Sequence, residues 1–403
     1  MWQKIKLSDV AEEIREIYSP VPDEHLKYVG LEHIEQNTLK LSGTGDSSKT
    51  KSSKKIFKAG DILFGSLRPY FRKVVRPKFD GVCSTDITVI KCKKDCCQDF
   101  LFYFIANQSF IDYAANISYG TKMPRSPWDI LSRSEWMFPK LNIQQKIASI
   151  LSAYDDLIEN NTRRIQILEK MAQRIYREWF VNFRFPGHKK VRFIDSELGK
   201  IPEGWEVSNL ECIAELIKDK FREDQHNKLP LLDLARIPRK SLAISEFGKS
   251  DEIKTSRIIF KEGNILFGAI RPYFHKVVIA PCDGVTNVSV LVLKNKDIVG
   301  KHFLFNLLFS DEVVAWATQY SGGTKMPVIN WKVFKTMKVV IPQREVIFDF
   351  ESMADNIFNL IKVLTLKNII LKRTRDLLLP KLISGELDIS DLDIVVRDIN
   401  EEK

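Results

Sequence analysis

The chain has 403 residues, enough for two or three domains that each bury a core. Hydrophobic residues make up 44% and charged residues 28%, and no apolar run reaches the roughly eighteen residues of a membrane span. The net charge of +10 favours polyanionic partners.

The first phrase, MWQKIKLSDVAEEI, lacks the apolar segment of a secretory signal. The six cysteines, Cys83, Cys92, Cys96, Cys97, Cys212 and Cys282, do not read as a disulfide framework in so long a chain. The tract CKKDCC (92–97) has neither a second cysteine pair nor a nearby His, so no zinc site is expected. A reduced, cytoplasmic protein is expected, with no membrane partner.

In chain order, DILFGSL (61–67) and GVCSTDITVIKC (81–92) are rich in β-branched and aromatic residues and predict strands. QDFLFYFIANQSFIDYAAN (98–116) has helical spacing of apolar residues and predicts one helix on that sheet. A turn-like YGTKMPRSP follows, then EWMFPKL. The first 140 residues thus read as an α+β globule. From 141 to 183 there is neither Gly nor Pro, and the apolar residues follow a heptad. Leu151, Ile158, Ile165, Ala172 and Trp179 take position a; Ile147, Tyr154, Leu168 and Ile175 take d, with Asn161 interrupting the d series. Four to five sustained heptads predict a coiled-coil helix of roughly 60 Å.

The chain then repeats itself. GDILFGSLRPYFRKVV from Gly60 returns as GNILFGAIRPYFHKVV from Gly263, identical at twelve of sixteen positions. One ungapped offset of 203 also pairs Trp2 with Trp205, GTKMP at Gly120 with GTKMP at Gly323, and Pro139 with Pro342. The second heptad series has Phe350, Ile357, Leu364, Leu371 and Leu378 at d, and Ile361, Asn368 and Leu382 at a. A buried Asn in such a seam fixes register or orientation. The sequence therefore divides into a first domain (1–140), a long helix (141–183), a linker (184–203), a second domain (204–343), a second long helix (344–390) and a tail (391–403). Periodicity leaves open whether the helices pair with each other or with other subunits.

The copies diverge at 19–55 and 222–258. Shared basic residues suit phosphate, which looks alike everywhere, whereas divergent ones suit base reading. The shared candidates are Arg68, Lys73 and Lys122 with Arg271, Lys276 and Lys325, beside Arg125 in the first copy. The divergent candidates are Lys49, Lys51, Lys54 and Lys55 in the first copy. In the second they are Arg236, Arg239, Lys240, Lys249, Lys254 and Arg257. Against these readings, Arg68 and Arg271 better suit a scaffold role, tying the turn to a carboxylate or carbonyl, with phosphate or base contact as the alternatives, and a lysine-rich loop is more often plain solvated surface.

Catalytic signatures are missing: there is no phosphate-binding G-x-x-x-x-G-K-[ST] loop, no Asn/Asp-Pro-Pro-Tyr tetrad, no G-x-G-x-x-G after a strand and no H-E-x-x-H. Asp233, Glu252 and Lys254 form only a loose metal-nuclease-like series, without a counterpart in the first copy.

LLLPKLISGELDI (377–389), YREWFVNFRFP (176–186) and DSELGKIPEGWEV (195–207), with the repeated order of phrases ending in FPKLNIQQKIASIL, resemble the specificity subunit of type I restriction-modification systems. The resemblance covers both halves. It implies two target-recognition domains, each followed by a helix, with the two helices forming an antiparallel coiled coil. It further implies a non-catalytic subunit that binds double-stranded DNA. Its expected protein partners are two adenine-N6 methyltransferase subunits and, in the full complex, restriction/translocase subunits. S-adenosylmethionine, ATP and Mg would then belong to those partners, with no cofactor in this chain. One departure stands out: after Pro342 the chain reads QREVIFDFE where the first copy has NIQQKIA. The rival reading is a coiled-coil scaffold with two α+β modules and no role on DNA.

Overall fold

Runs of β-branched and aromatic residues bounded by turns form short, mostly antiparallel strands, because such side chains fit a half-buried pleated surface. The computed structural model describes residues 2–21, 23–221, 229–252 and 256–396. It comprises two units: residues 1–156 with 372–403, and residues 157–371. The boundary crosses both long helices.

In the first unit, Trp2–Lys6 pairs with Glu135–Pro139, tying the start of the domain to its end. A four-stranded antiparallel sheet runs in the order Ala11–Ile14, Ile87–Cys92, Ile62–Gly65, Val74–Val75. A five-stranded sheet runs Ile17–Tyr18, Lys54–Phe57, Gly81–Cys83, Lys27–Val29, Gly45–Asp46, with one parallel pairing between Lys27–Val29 and Gly81–Cys83. The 81–92 phrase is thus two strands in two sheets. Phe64, Phe100, Phe104, Phe110 and Phe138 are buried beneath them, and full burial of each such side chain contributes about 1.5–3 kcal/mol.

The expected single helix over 98–116 is two, Gln98–Ala106 and Gln108–Asn116. Asn107 breaks it: its backbone is extended and its Oδ1 accepts the Gln108 N–H at 2.9 Å, the local competition that makes Asn poor inside helices. The second unit does the same with Ser310, between Lys301–Leu308 and Asp311–Gln319.

The second unit repeats the sheet order with Ala214–Ile217, Val290–Asn295, Ile265–Gly268 and Val277–Ile279. Glu206–Asn209 pairs with Lys338–Ile341. A further sheet holds Gly248–Lys249, Pro230–Leu231, Gly284–Asn287 and Arg257–Phe260.

The long helices are Leu141–Tyr176, continued by one wider turn at Arg177–Val181, and Arg344–Ser384. The second ends six residues short of the expected 390, because Gly385 takes φ of +78°, the usual left-handed helix stop. The helices pack antiparallel. Within the second unit, Asn161 meets Asn368 while Tyr176 meets Phe350. Within the first, Leu151 shares a core with Leu379 and Leu382.

On the first helix the buried stripe includes Ile147, Leu151, Ile158, Asn161, Ile165 and Ala172, while Tyr154, Leu168, Ile175 and Trp179 are half-buried. On the second it runs through Phe350, Ala354, Phe358, Ile361, Leu364, Thr365, Asn368, Arg375, Leu379 and Leu382. Ile357, Leu371 and Leu378 are only half-buried, so the inner face lies closer to the a series than to d. At the centre, Asn161 Nδ2 donates to Asn368 Oδ1 at 2.9 Å, and Asn368 Nδ2 donates to Ile158 O and Thr162 Oγ1.

Candidate nucleic-acid interface

The repeated phrase folds into the same turn in both units. Arg68 and Arg72 flank the short helix Pro69–Phe71 with φ of +50° and +47°; Arg271 and His275 flank Pro272–Phe274 with +51° and +52°. Non-glycine residues adopt this conformation rarely, so its recurrence marks a constrained geometry. Arg68 N donates to Pro124 O and Arg271 N to Pro327 O, at 2.7 and 2.8 Å, which locks each turn to its GTKMP loop. Arg72 Nε donates to Ala106 O, and His275 Nε2 lies 2.8 Å from Phe309 O: different side chains anchor the same carbonyl position.

Several expected contacts are used inside the protein. Lys73 donates to Leu31 O and Lys276 to Leu234 O, equivalent carbonyls in the two copies. Burial lowers the pKa of both amines. The neighbouring glycines permit this: a Cβ at Gly65 or Gly268 would lie within 3 Å of Leu31 or Leu234. Each of these lysines thus ties its turn to a backbone carbonyl. Lys54 is buried, its ammonium donating to Ser52 O at 2.6 Å and Ser52 Oγ at 2.8 Å. Lys55 forms a 2.9 Å ion pair with the shielded Glu13. Both are thus engaged within the protein, whereas Lys49 and Lys51 of the same loop are exposed.

In the second unit, Arg236 lies between Asp233, at 3.1 Å, and Glu252. These two carboxylates of the loose metal-like series are thus matched to a guanidinium, and Lys254 lies outside the described residues. Arg257 donates to Ser250 O and lies over the Phe221 ring, while Lys240 pairs with Asp311 at 2.8 Å. Arg239 is exposed, its guanidinium 4.1 Å from the Phe274 ring centroid, and Lys249 is exposed. Arg125 is exposed but paired with Asp86 at 2.9 Å. Lys122 and Lys325 are exposed on their loops, and Arg68 donates to the Lys122 carbonyl at 3.1 Å.

Burial pushes the Cys83 thiol up to about 12 and raises Cys92, Cys96 and Cys97, which disfavours the thiolate that metal binding needs. Among the described residues no group of three His, Cys, Asp or Glu converges, and no helix is long and apolar enough to cross a membrane.

The family description "Type I restriction modification DNA specificity domain" matches the chain twice, over residues 1–170 and 202–372, reproducing the internal repeat. The chain belongs to the type I restriction-modification DNA specificity family. It is similar to the type I restriction enzyme MjaIX specificity subunit of Methanocaldococcus jannaschii, 27% identical over 373 residues covering 84% of this chain and 80% of that protein. It is also similar to the HindI specificity subunit of Haemophilus influenzae, 24% identical, covering 83% and 88%. The crystal structure of a type I restriction-modification system S subunit from M. genitalium aligns with TM-score 0.59 at 14% identity, covering 95% and 96%, a likeness of fold. The family assignment accounts for two alike frames with unlike surface segments.

Sequence reasoning missed a buried cluster in this specificity-family fold. Arg375, 1% exposed, pairs with Asp155 and, at 2.8 Å, with Asp376; Tyr103 donates to Asp155 at 2.6 Å. Burial foremost, then the Asp155 charge, raises the Tyr103 pKa well above the ordinary value. A seven-residue step from Asn368 reaches Arg375, the signal that was available.

Proposed function

We propose that this chain is the non-catalytic subunit that gives a type I restriction-modification complex its DNA sequence specificity. Each α+β domain reads one half of a bipartite double-stranded site. The paired helices set the spacing and dock two adenine-N6 methyltransferase subunits, with restriction/translocase subunits joining the full complex. S-adenosylmethionine, ATP and Mg act on those partners. The observation that carries the reading is the double match to the specificity domain over a frame whose divergent segments present different exposed cations: Lys49 and Lys51 in one copy, Arg239 and Lys249 in the other. The candidate domains remain residues 1–140 and 204–343, and the exposed divergent cations are the proposed sequence readers. No observation favours the scaffold alternative.

The test is a base-resolution map of N6-methyladenine in host DNA with the gene intact and deleted. Loss of methylation at one gapped, two-part motif is expected. An unchanged map, with the methyltransferase partner expressed, overturns the reading. Replacing Lys49 and Lys51 by Ala is expected to flatten the salt dependence of DNA binding by up to about 1.8 in the log–log slope.

A further inference from the structure

The cations shared by the two copies sort by what they already touch. Lys58 and Lys261 pair with Asp80 and Asp283 at 3.1 and 2.9 Å. Lys73 and Lys276 hold equivalent carbonyls, and Lys93 and Lys296 hold Ser8 O and Glu211 O, again equivalent, both at 2.7 Å. Lys122 and Lys325 differ: among the described residues, neither ammonium has a carboxylate or carbonyl partner, and both side chains are exposed.

These two lysines do not sit on loose loops. Each GTKMP loop is fastened to its RPYF turn by the left-handed Arg68 or Arg271, and closed on itself by paired backbone bonds: Tyr119 with Arg125, Gly322 with Val328. Gly120 and Gly323 take φ of +105° and +97°. Beside each lysine stands a large side chain held in water, Met123 at 51% and Met326 at 54% exposure; each turn likewise presents Tyr70 at 50% or Tyr273 at 51%. Burial in a fold does not require these residues outside. Yet sequence, backbone strain and exposure recur in both copies, while segments 19–55 and 222–258 have diverged.

A surface kept identical in two domains that read different sequences fits a target that does not vary with sequence. Its charge is positive, its unmatched donors are ammonium and phenol groups, and DNA phosphate accepts from both. We propose that the RPYF turn and GTKMP loop of each domain form a sequence-blind phosphate clamp, with Lys122 and Lys325 as its charged donors and Tyr70 and Tyr273 as its neutral ones. The inference rests on the DNA-specificity reading above and adds which residues position the duplex without reading it.

The test uses the complex assembled with its methyltransferase partners. Binding is measured to a duplex carrying the motif and to a scrambled duplex, each across a salt series, for the unaltered protein and for K122Q, K325Q and the double variant. Each single change is expected to reduce the salt slope by about 0.9. It is expected to weaken both duplexes by the same factor, so that the ratio between them is kept. The double variant is expected to lose about twice the slope, and K122R and K325R to restore it. An unchanged slope, or a changed ratio between the duplexes, overturns the clamp. Loss of partner association with DNA contacts unaltered also overturns it and makes the surface a protein dock. If the unaltered complex shows no preference for any motif, the specificity reading itself fails, an outcome distinct from failure of the variants alone.

Discussion

The two copies fasten their domains to the long helices with opposite chemistry. In the first unit, Asp155 on the first long helix bridges Tyr103 to the buried Arg375 of the second, beside an Arg76–Asp99 pair within the domain. At the equivalent places in the second unit stand Ile279, His302 and Phe358. There the His302 ring stacks on Phe358 with centroids 4.6 Å apart, and Phe305 meets the same ring edge-on at 5.3 Å. At these equivalent positions one joint carries an ion-pair cluster and the other an aromatic stack, on the same backbone frame. The lesson concerns which parts of a duplicated fold are free to change: the surfaces must mate, but the means of mating need not match.

The helix starts show the same exchange. Gln144 Oε1 accepts from Cys97 N at 2.9 Å while its Nε2 holds Pro139 O at 2.9 Å. In the second copy Ile347 replaces this glutamine, the departure visible as QREVIFDFE. Glu351, one helical turn later, takes over by accepting from the backbone of His302 and Phe303 and lying 2.9 Å from His302 Nδ1.

The largest expected effect is in the aromatic joint. Phe358→Ala removes the ring on which both His302 and Phe305 rest and is expected to cost about 3–5 kcal/mol, with accelerated amide exchange confined to the second unit. Exchange spread evenly over both units would show that the joints are not separate. Next is Asp155→Ala, which leaves Arg375 buried with only Asp376. We expect about 3 kcal/mol, the low end for breaking a buried pair, because Asp155 keeps 27% of its side chain exposed. Chemical denaturation followed by first-unit exchange checks it; a loss below about 1 kcal/mol would place the cluster among surface pairs.

A smaller effect is expected at the seam. Asn368→Leu leaves the buried Asn161 amide without its partner in the helix seam and is expected to cost about 1–3 kcal/mol. Adding Asn161→Leu is expected to recover most of that loss, and a fully additive double variant would contradict the pairing. The smallest effect concerns pH. Glu169 accepts from Leu242 N and, at 3.0 Å, from Ser241 Oγ, and burial raises its pKa above the ordinary 4.5. A raised carboxyl favours the folded state below its unfolded pKa. That contribution fades as pH rises through the folded value. Glu169→Gln keeps an acceptor and removes the titration, so its stability profile above pH 4.5 is expected to be flatter than that of the unaltered protein. Parallel profiles would contradict this.

Much of this was legible in sequence for a physical reason: duplication preserves backbone constraints. The paired glycines, the RPYF turn and the heptads recur because left-handed residues, close approaches and a helix seam tolerate few substitutes. Less legible was the fate of individual cations. Lys54, Lys73 and Lys276 look like DNA-facing lysines until the fold supplies Ser52, Leu31 and Leu234 as partners, none of them acidic and the last two distant in sequence. On the second helix, Leu371 and Leu378 are apolar yet half-buried, while Thr365 and Arg375 face inward, a detail that heptad position alone does not carry. The break at Asn107 was hidden by the apolar residues on both sides of it.

The central claim is that one frame carries two independent readers. Exchanging residues 1–140 for the corresponding domain of another specificity subunit, then mapping N6-methyladenine at base resolution, tests it most directly. The account predicts that one half of the two-part motif changes while the other half is kept. A motif altered in both halves, or in neither while methylation persists, would contradict it.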